Sequence, residues 1–153
     1  MPHATTASLS RSRSRVNRYG RTKVKEKRID IRWRDLDAYG HVNQAVYLTF
    51  GEEVLDGWFR DRLGRAPGQV WDYVARRTTI EYRSELRLED VQVVGSVVLV
   101  TLGTTSVTTR TTLRAPDGRV AAEVENVIVV IDGKSGESRP LTDAERSALS
   151  RDS

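Results

Sequence analysis

Residues 45–64, AVYLTFGEEVLDGWFRDRLG, carry the clearest periodic pattern in the chain. Apolar residues recur at every fourth position, namely Val46, Phe50, Val54 and Trp58. Four further side chains widen this stripe: Tyr47, Leu48, Leu55 and Phe59. A helix with so broad an apolar face is buried around much of its circumference. Asn43 suits an N-cap and Gly64 suits the position after the C-terminus, so the pattern predicts one long, largely buried helix.

The segments on both sides of this helix favour β-strands. Residues 27–35, KRIDIRWRD, alternate so that Ile29, Ile31 and Trp33 share one face of a strand. Residues 65–75 are expected to form a loop with a short helical turn around 70–74. Four strands in a meander are predicted after it, at 77–86, 90–103, 105–115 and 119–132, with a turn at 116–118. Residues 143–150 are expected to form a short helix capped near Thr142. The pattern is α+β, an antiparallel sheet of about five strands wrapped around one helix.

Charge divides the chain into two parts. Residues 1–28 hold nine Lys or Arg residues and one acid, a net +8, whereas the remainder has a net charge of −4. We therefore interpret residues 1–27 as a disordered basic tail, 28–141 as the folded domain and 142–153 as a short helix or tail. The tail also has the composition of a transit peptide. A mildly acidic domain disfavours nucleic-acid binding, except through the tail.

Several classes of protein are excluded or disfavoured by composition. The chain has no cysteine, which excludes disulfides and thiolate chemistry, and its only histidines are His3 and His41. No metal site and no cofactor are therefore predicted. The segment DGKS at 132–135 lacks the first glycine of a P-loop, and no nucleophile elbow is present. No apolar run is long enough to span a membrane, so a cytoplasmic protein is expected.

Residues 32–54, RWRDLDAYGHVNQAVYLTFGEEV, resemble the N-terminal signature of hotdog-fold acyl thioesterases of the 4-hydroxybenzoyl-CoA thioesterase-like group. The matching positions are Asp35, Asp37, Gly40, His41, Val42, Asn43, Tyr47, Leu48, Glu52 and Glu53. The resemblance implies a hotdog fold over about residues 28–140 and hydrolysis of an acyl-CoA or acyl-carrier-protein thioester. It also implies a homodimer or homotetramer with active sites between subunits. The long apolar strand predicted at 91–102 is consistent with assembly into oligomers, because such a strand would be prone to aggregation if it formed an exposed edge.

The resemblance assigns the chemistry to the loop before the helix. Asp37 matches the catalytic aspartate and would act as general base or nucleophile, because a carboxylate at the mouth of an apolar pocket suits both roles. The backbone N–H of Gln44, at the helix N-terminus, would hold the oxyanion. His41 and Asn43 either join the chemistry or hold the turn, and we interpret both as holding it. Asp35 is interpreted as exposed or structural.

The remaining candidate residues concern substrate binding. Tyr39, Gly40 and Tyr47 are expected to contact the substrate, with Gly40 allowing a tight turn. Gly51 stands where relatives carry an aromatic, and it either enlarges an acyl pocket or admits a close backbone approach. Three residues, Thr104, Thr105 and Ser106, offer hydroxyls and N–H groups but no charge where relatives bind coenzyme A. The alternative function is a domain that binds an acyl ligand without catalysis.

Overall fold

The computed structural model describes residues 25–66 and 69–151. The elements in chain order are β1 (Glu26–Asp30), α1 (Gln44–Leu63), β2 (Tyr73–Tyr82), β3 (Gln92–Leu102), β4 (Ser106–Arg114), β5 (Val120–Val130) and α2 (Asp143–Leu149). Single turns of 3-10 helix lie at Trp33–Asp35 and Leu88–Asp90. No helix in this part of the chain is long and apolar enough to cross a membrane.

The five strands form one antiparallel sheet in the order β1-β3-β4-β5-β2, with α1 packed on one face. The predicted α+β hotdog fold is confirmed. The prediction of a four-strand meander is wrong for β2, which pairs with β5 at the far edge of the sheet. Helix α1 crosses the sheet between β1 and β2, so the chain re-enters the sheet at the opposite edge.

The strand order also bears on the prediction that the apolar strand at 91–102 would form an exposed edge of the sheet. Strand β3 lies between β1 and β4, and its first half is paired on both sides. Its second half lacks a partner on the β1 side, where Val98 and Val100 are exposed, and β2 forms the opposite edge of the sheet with eight of its ten residues exposed. The predicted helical turn at 70–74 is absent, because Tyr73 already begins this strand.

Helix α1 has the boundaries that its capping residues predict. The Asn43 side chain accepts a hydrogen bond from the N–H of Ala45, and Gly64 takes a left-handed conformation with φ of 63°. The predicted stripe is buried except for Leu48, which is 37% exposed, and Val46, which is half-buried. A Cβ atom on Gly51 would lie 3.4 Å from Val124 Cγ2, an ordinary van der Waals distance, so Gly51 packs against the sheet.

The chain turns earlier after β1 than the alternation indicates. Ile29 and Ile31 are buried, but Trp33 is 81% exposed, so its predicted place on the same face is wrong. The carboxylate of Asp35 accepts a hydrogen bond from the N–H of Arg32 at 2.7 Å, and this closes a turn that rotates Trp33 outward. Strand β1 starts at Glu26, two residues before the predicted domain boundary, while the rest of the predicted tail lies outside the described residues.

The predicted C-terminal helix is confirmed. The Thr142 hydroxyl caps α2 by accepting from the N–H of Glu145 at 3.1 Å, and the carboxylate of Glu145 accepts from the N–H of Thr142. The indole N–H of Trp71 also donates to Glu145 at 2.8 Å. These bonds attach α2 to the segment that follows α1.

Candidate active site

The loop before α1 is a tight turn that holds Asp37 in one orientation. Asp37 Oδ1 accepts hydrogen bonds from the N–H groups of Tyr39 and His41, at 2.8 and 3.2 Å. The backbone N–H of Asp37 donates to the carbonyl of His41 at 2.8 Å, and Gly40 at φ of 77° allows the reversal. Both bonds to the carboxylate use Oδ1, so Oδ2 is left for a substrate or a water molecule.

Asp35 anchors the base of the same loop. It is 7% exposed, and its carbonyl accepts from the N–H of Asn43 at 2.8 Å, while its carboxylate holds the N–H of Arg32. Asp35 is therefore structural, and it is buried rather than exposed.

The N-terminus of α1 presents an unpaired donor. Asn43 satisfies the neighbouring donors, because its side chain accepts from Ala45 and its carbonyl accepts from Val46. Within the described residues, the N–H of Gln44 donates no hydrogen bond. The first N–H groups of a helix lack intrahelical partners and lie at the positive end of its dipole. The Gln44 N–H is thus available to a developing negative charge.

Two tyrosines brace this end of the helix. The Tyr47 hydroxyl accepts from the N–H of Leu86 at 2.9 Å, and the Tyr82 hydroxyl donates to the carbonyl of Gln44 at 2.9 Å. Their rings meet edge to face, 5.3 Å apart between centroids. Burial raises the pKa of Tyr47, so its phenol stays protonated and does not serve as a base.

These groups open onto one cleft of about 320 Å³. Its lining is Asp37, His41, Val42, Gln44, Tyr47, Tyr82, Arg83, Ser84 and Glu85. Sequence reasoning identified Asp37, His41, Gln44 and Tyr47 and missed residues 82–85. No sequence signal pointed to these four residues. They lie at the end of β2 and just after it, and they reach the cleft only because β2 pairs with β5.

His41 lies between two charged side chains. Its Nε2 is 2.8 Å from Arg87 Nη2 and 3.0 Å from Glu85 Oε2. A neutral ring with an unprotonated Nε2 accepts from Arg87, whereas a protonated Nε2 donates to Glu85. Arg87 also donates to Glu85, and this bond lowers the pKa of the Glu85 carboxyl. The arrangement ties the loop before α1 to the segment after β2.

The other predicted binding residues lie apart from the cleft. Thr104, Thr105 and Ser106 lie at the β3–β4 turn, where Ser106 pairs with Val129. Tyr82, beside the cleft, pairs with Ala122, seven residues away along β5. At roughly 3.4 Å per residue, these pairs are roughly 24 Å apart, so one chain does not bring both groups to one site.

Tyr39 and Gly51 also lie outside the cleft lining. Tyr39 is 82% exposed and contributes its backbone N–H to Asp37, whereas Gly51 is buried on the face of α1 that packs against Val124 of β5. Across residues 25–66 and 69–151, no group of three or more His, Asp or Glu side chains is placed to hold a metal ion.

An antiparallel sheet wrapped around one long helix is the hotdog fold, and a half-buried carboxylate beside the N-terminus of that helix suits the hydrolysis of acyl compounds. The model of the thioesterase-like superfamily matches residues 31–149, and the chain belongs to this family of thioester hydrolases. This confirms the class of enzyme that residues 32–54 predicted.

Individual relatives agree with the family match. The long-chain acyl-CoA thioesterase FadM of Escherichia coli K12 is 29% identical over 127 residues, which cover 79% of this chain and 93% of that enzyme. A Thermus thermophilus thioesterase solved with coenzyme A and Zn is 32% identical, with a TM-score of 0.71 over 81% of this chain and 90% of that one. The PA5185 protein of Pseudomonas aeruginosa PAO1, at 23% identity, shares the fold with a TM-score of 0.73, covering 82% and 89% of the two chains.

Proposed function

We propose that this protein hydrolyses acyl-CoA thioesters, with Asp37 as the catalytic carboxylate and the Gln44 N–H as the oxyanion donor. The observation that carries the proposal is the cleft that both residues line. The lining supplies an oriented carboxylate with an unused oxygen and an unpaired N–H at the end of a helix. Thioester hydrolysis needs these two groups on opposite sides of one carbonyl.

The steps follow from these two groups. In the general-base route, Asp37 takes a proton from water as the water oxygen attacks the thioester carbon. The carbonyl oxygen becomes an oxyanion and accepts from the Gln44 N–H. Collapse of the tetrahedral intermediate breaks the C–S bond, and Asp37 returns its proton to the leaving thiolate. In the nucleophilic route, Asp37 attacks the carbon itself, the C–S bond breaks and the leaving thiolate takes a proton from solvent. Water then cleaves the resulting acyl anhydride to the free acid and the Asp37 carboxylate.

The names of two relatives support coenzyme A over a carrier protein as the carrier of the acyl group. One is a long-chain acyl-CoA thioesterase, and the other was solved with coenzyme A. The turn at 104–106 lies too far from the cleft of its own chain to share that ligand. A homodimer joined through the exposed edge of β2 would bring elements of a second copy near each cleft.

Thiol release from a panel of acyl-CoA and acyl-carrier-protein substrates tests this function, with Asp37→Asn as the decisive variant. Loss of the carboxylate is expected to lower kcat by roughly 10²–10⁴, the range for a positioned acid or base. The matched control is Asp143→Asn, since Asp143 is an exposed aspartate on α2. Acyl binding without thiol release by the wild-type protein would favour the non-catalytic alternative.

Heavy-oxygen water separates the two chemical routes. In a single turnover in H₂¹⁸O, the general-base route puts ¹⁸O into the acid product only. The nucleophilic route leaves an Asp37 oxygen in the first product and ¹⁸O in the Asp37 carboxylate when water attacks the aspartyl carbon. Mass spectrometry of the peptide that contains Asp37 distinguishes these results.

A further inference from the structure

The last residue of β2 makes a contact that the proposed mechanism does not yet use. The Tyr82 hydroxyl donates to the Gln44 carbonyl at 2.9 Å. In an α-helix this carbonyl is already the acceptor for the N–H of Leu48. Tyr82 therefore adds a second bond to a backbone group that the helix itself satisfies. This bond is therefore not needed to complete the hydrogen bonding of α1, and its role lies elsewhere.

The bond reaches the residue that carries the oxyanion donor. Gln44 is the first residue of α1, and the end residues of a helix fray because their donors lack partners within it. An N–H that acts on a transition state must already be in place, since preorganised donors supply most of the stabilisation. The link from Tyr82 fixes the Gln44 residue to the end of a β-strand.

The Tyr82 ring is itself held in place. Its edge-to-face partner is Tyr47, which is 3% exposed and whose hydroxyl is bound by the N–H of Leu86. The backbone N–H of Val42 donates to the carbonyl of the same Leu86 at 2.8 Å. The contacts form a closed ring that joins the catalytic loop, the first turn of α1 and the end of β2.

We propose that Tyr82 is a positioning residue that holds the Gln44 N–H in place for the oxyanion. It acts through Gln44 rather than on the substrate carbonyl. The inference rests on the proposed function, because it assigns Tyr82 a role only in a reaction that uses this donor. The hydroxyl is the group that matters, and the ring contact with Tyr47 is separable from it.

The variant Tyr82→Phe removes the hydroxyl and keeps the ring. With acyl-CoA as substrate, kcat is expected to fall by roughly five- to fiftyfold while KM changes less than about threefold. This loss is smaller than the roughly 10²–10³-fold loss in kcat when an oxyanion donor is removed outright. Tyr73→Phe is the control, since Tyr73 begins the same strand at the end away from the cleft, packs against Phe59 and has a hydroxyl that bonds to no described residue. It is expected to retain wild-type kcat.

A ketone analogue of the substrate reports how strongly the site polarises a bound carbonyl, a quantity that a purely structural role of Tyr82 would leave unchanged. In this analogue a methylene replaces the thioester sulfur, and its carbonyl carries ¹³C. Difference infrared spectroscopy is expected to show a carbonyl stretch lowered on binding to the wild-type protein, and a smaller lowering in Tyr82→Phe. An S-alkyl coenzyme A thioether, which has no carbonyl, should bind both proteins equally.

The outcomes separate this inference from the proposed function. Wild-type turnover together with an unchanged kcat or an unchanged carbonyl shift in Tyr82→Phe overturns the role of Tyr82 alone. Equal weakening of the ketone and thioether analogues also overturns it, because it indicates a general loss of structure. Absence of turnover in the wild-type protein overturns the proposed function and, with it, this inference.

Discussion

Asp35 and Asp37 are two residues apart, and their surroundings give them different tasks. The carboxylate of Asp35 is buried and holds the turn after β1, whereas Asp37 is half-buried and lines the cleft. A pattern of two aspartates could have assigned either one to the chemistry. The resemblance selected Asp37, and the burial of Asp35 supports that choice, because a carboxylate closed off from substrate cannot act on it.

Asn43 is expected to contribute stability rather than chemistry. Its side-chain oxygen is occupied by the N–H of Ala45 at 2.9 Å. Asn43→Ala should lower the free energy of unfolding by about 0.5–2 kcal/mol, as loss of an N-cap does. Asn43→Asp keeps an acceptor at this position and should retain the stability. Thermal unfolding measures both, with a shift of about 2–4 °C per kcal/mol. Lost turnover with an unchanged melting temperature in Asn43→Ala would instead place Asn43 in the reaction.

The helices could be predicted from the sequence more closely than the strand order. Helix α1 has a strong periodic pattern with Asn43 and Gly64 at its ends, so its boundaries could be read within a residue. Strand β2 exposes both faces along an open edge, so its sequence lacks an alternating pattern. The predicted strand at 77–86 is therefore displaced by four residues from the observed strand at 73–82. The cleft residues at 82–85 come together with Asp37 only because β2 lies beside β5, and no local pattern encodes that pairing.

The attachment of α2 should depend on pH through Glu145. Arg139 donates two hydrogen bonds to this carboxylate, at 2.8 and 2.9 Å, and they are the main reason that the pKa of Glu145 falls to about 2. A folded-state pKa below the ordinary value of 4.5 means that the stabilisation is present above that pH and is lost as the pH falls toward 2. At neutral pH it amounts to about 3 kcal/mol.

The variant Glu145→Gln tests this contribution. Urea unfolding at pH 7 should show a loss of about 2–3 kcal/mol relative to the wild-type protein, and the difference should shrink toward about pH 2.5. Glu137→Gln is the control, because Glu137 is exposed and its carboxylate bonds to no residue of the described chain. A difference that stays constant with pH would contradict the role of the Arg139 pair.

We predict that the protein assembles through the open edge of β2. A strand of ten residues with one unpaired side is a template for a further strand. The N–H of Arg83 donates to Ala121 of β5. Because donors alternate along a strand, the N–H groups of Tyr82, Ile80 and Thr78 point away from β5. These outward donors are available to pair with a second copy.

The substitution Thr78→Pro is therefore expected to give a monomer. Proline removes one outward donor and leaves the pairing with β5 intact. Light scattering should give about 34 kDa or a multiple of it for the wild-type protein, twice the chain mass of 17.2 kDa, and about 17 kDa for the variant. Thr78→Ala is the matched control, since it also loses the side-chain bond to Asn126 but keeps the N–H, and it should remain a dimer.

Turnover by the same variants tests whether assembly and activity are linked. Tyr82 ends the strand that would pair and also holds the first residue of α1. Separation of the copies should therefore loosen the oxyanion site as well as remove the second copy. We expect Thr78→Pro to lose at least roughly tenfold in kcat at a concentration where Thr78→Ala keeps most of its activity. A fully active monomer would show that each cleft works alone, and a dimeric Thr78→Pro protein would show that the copies meet elsewhere.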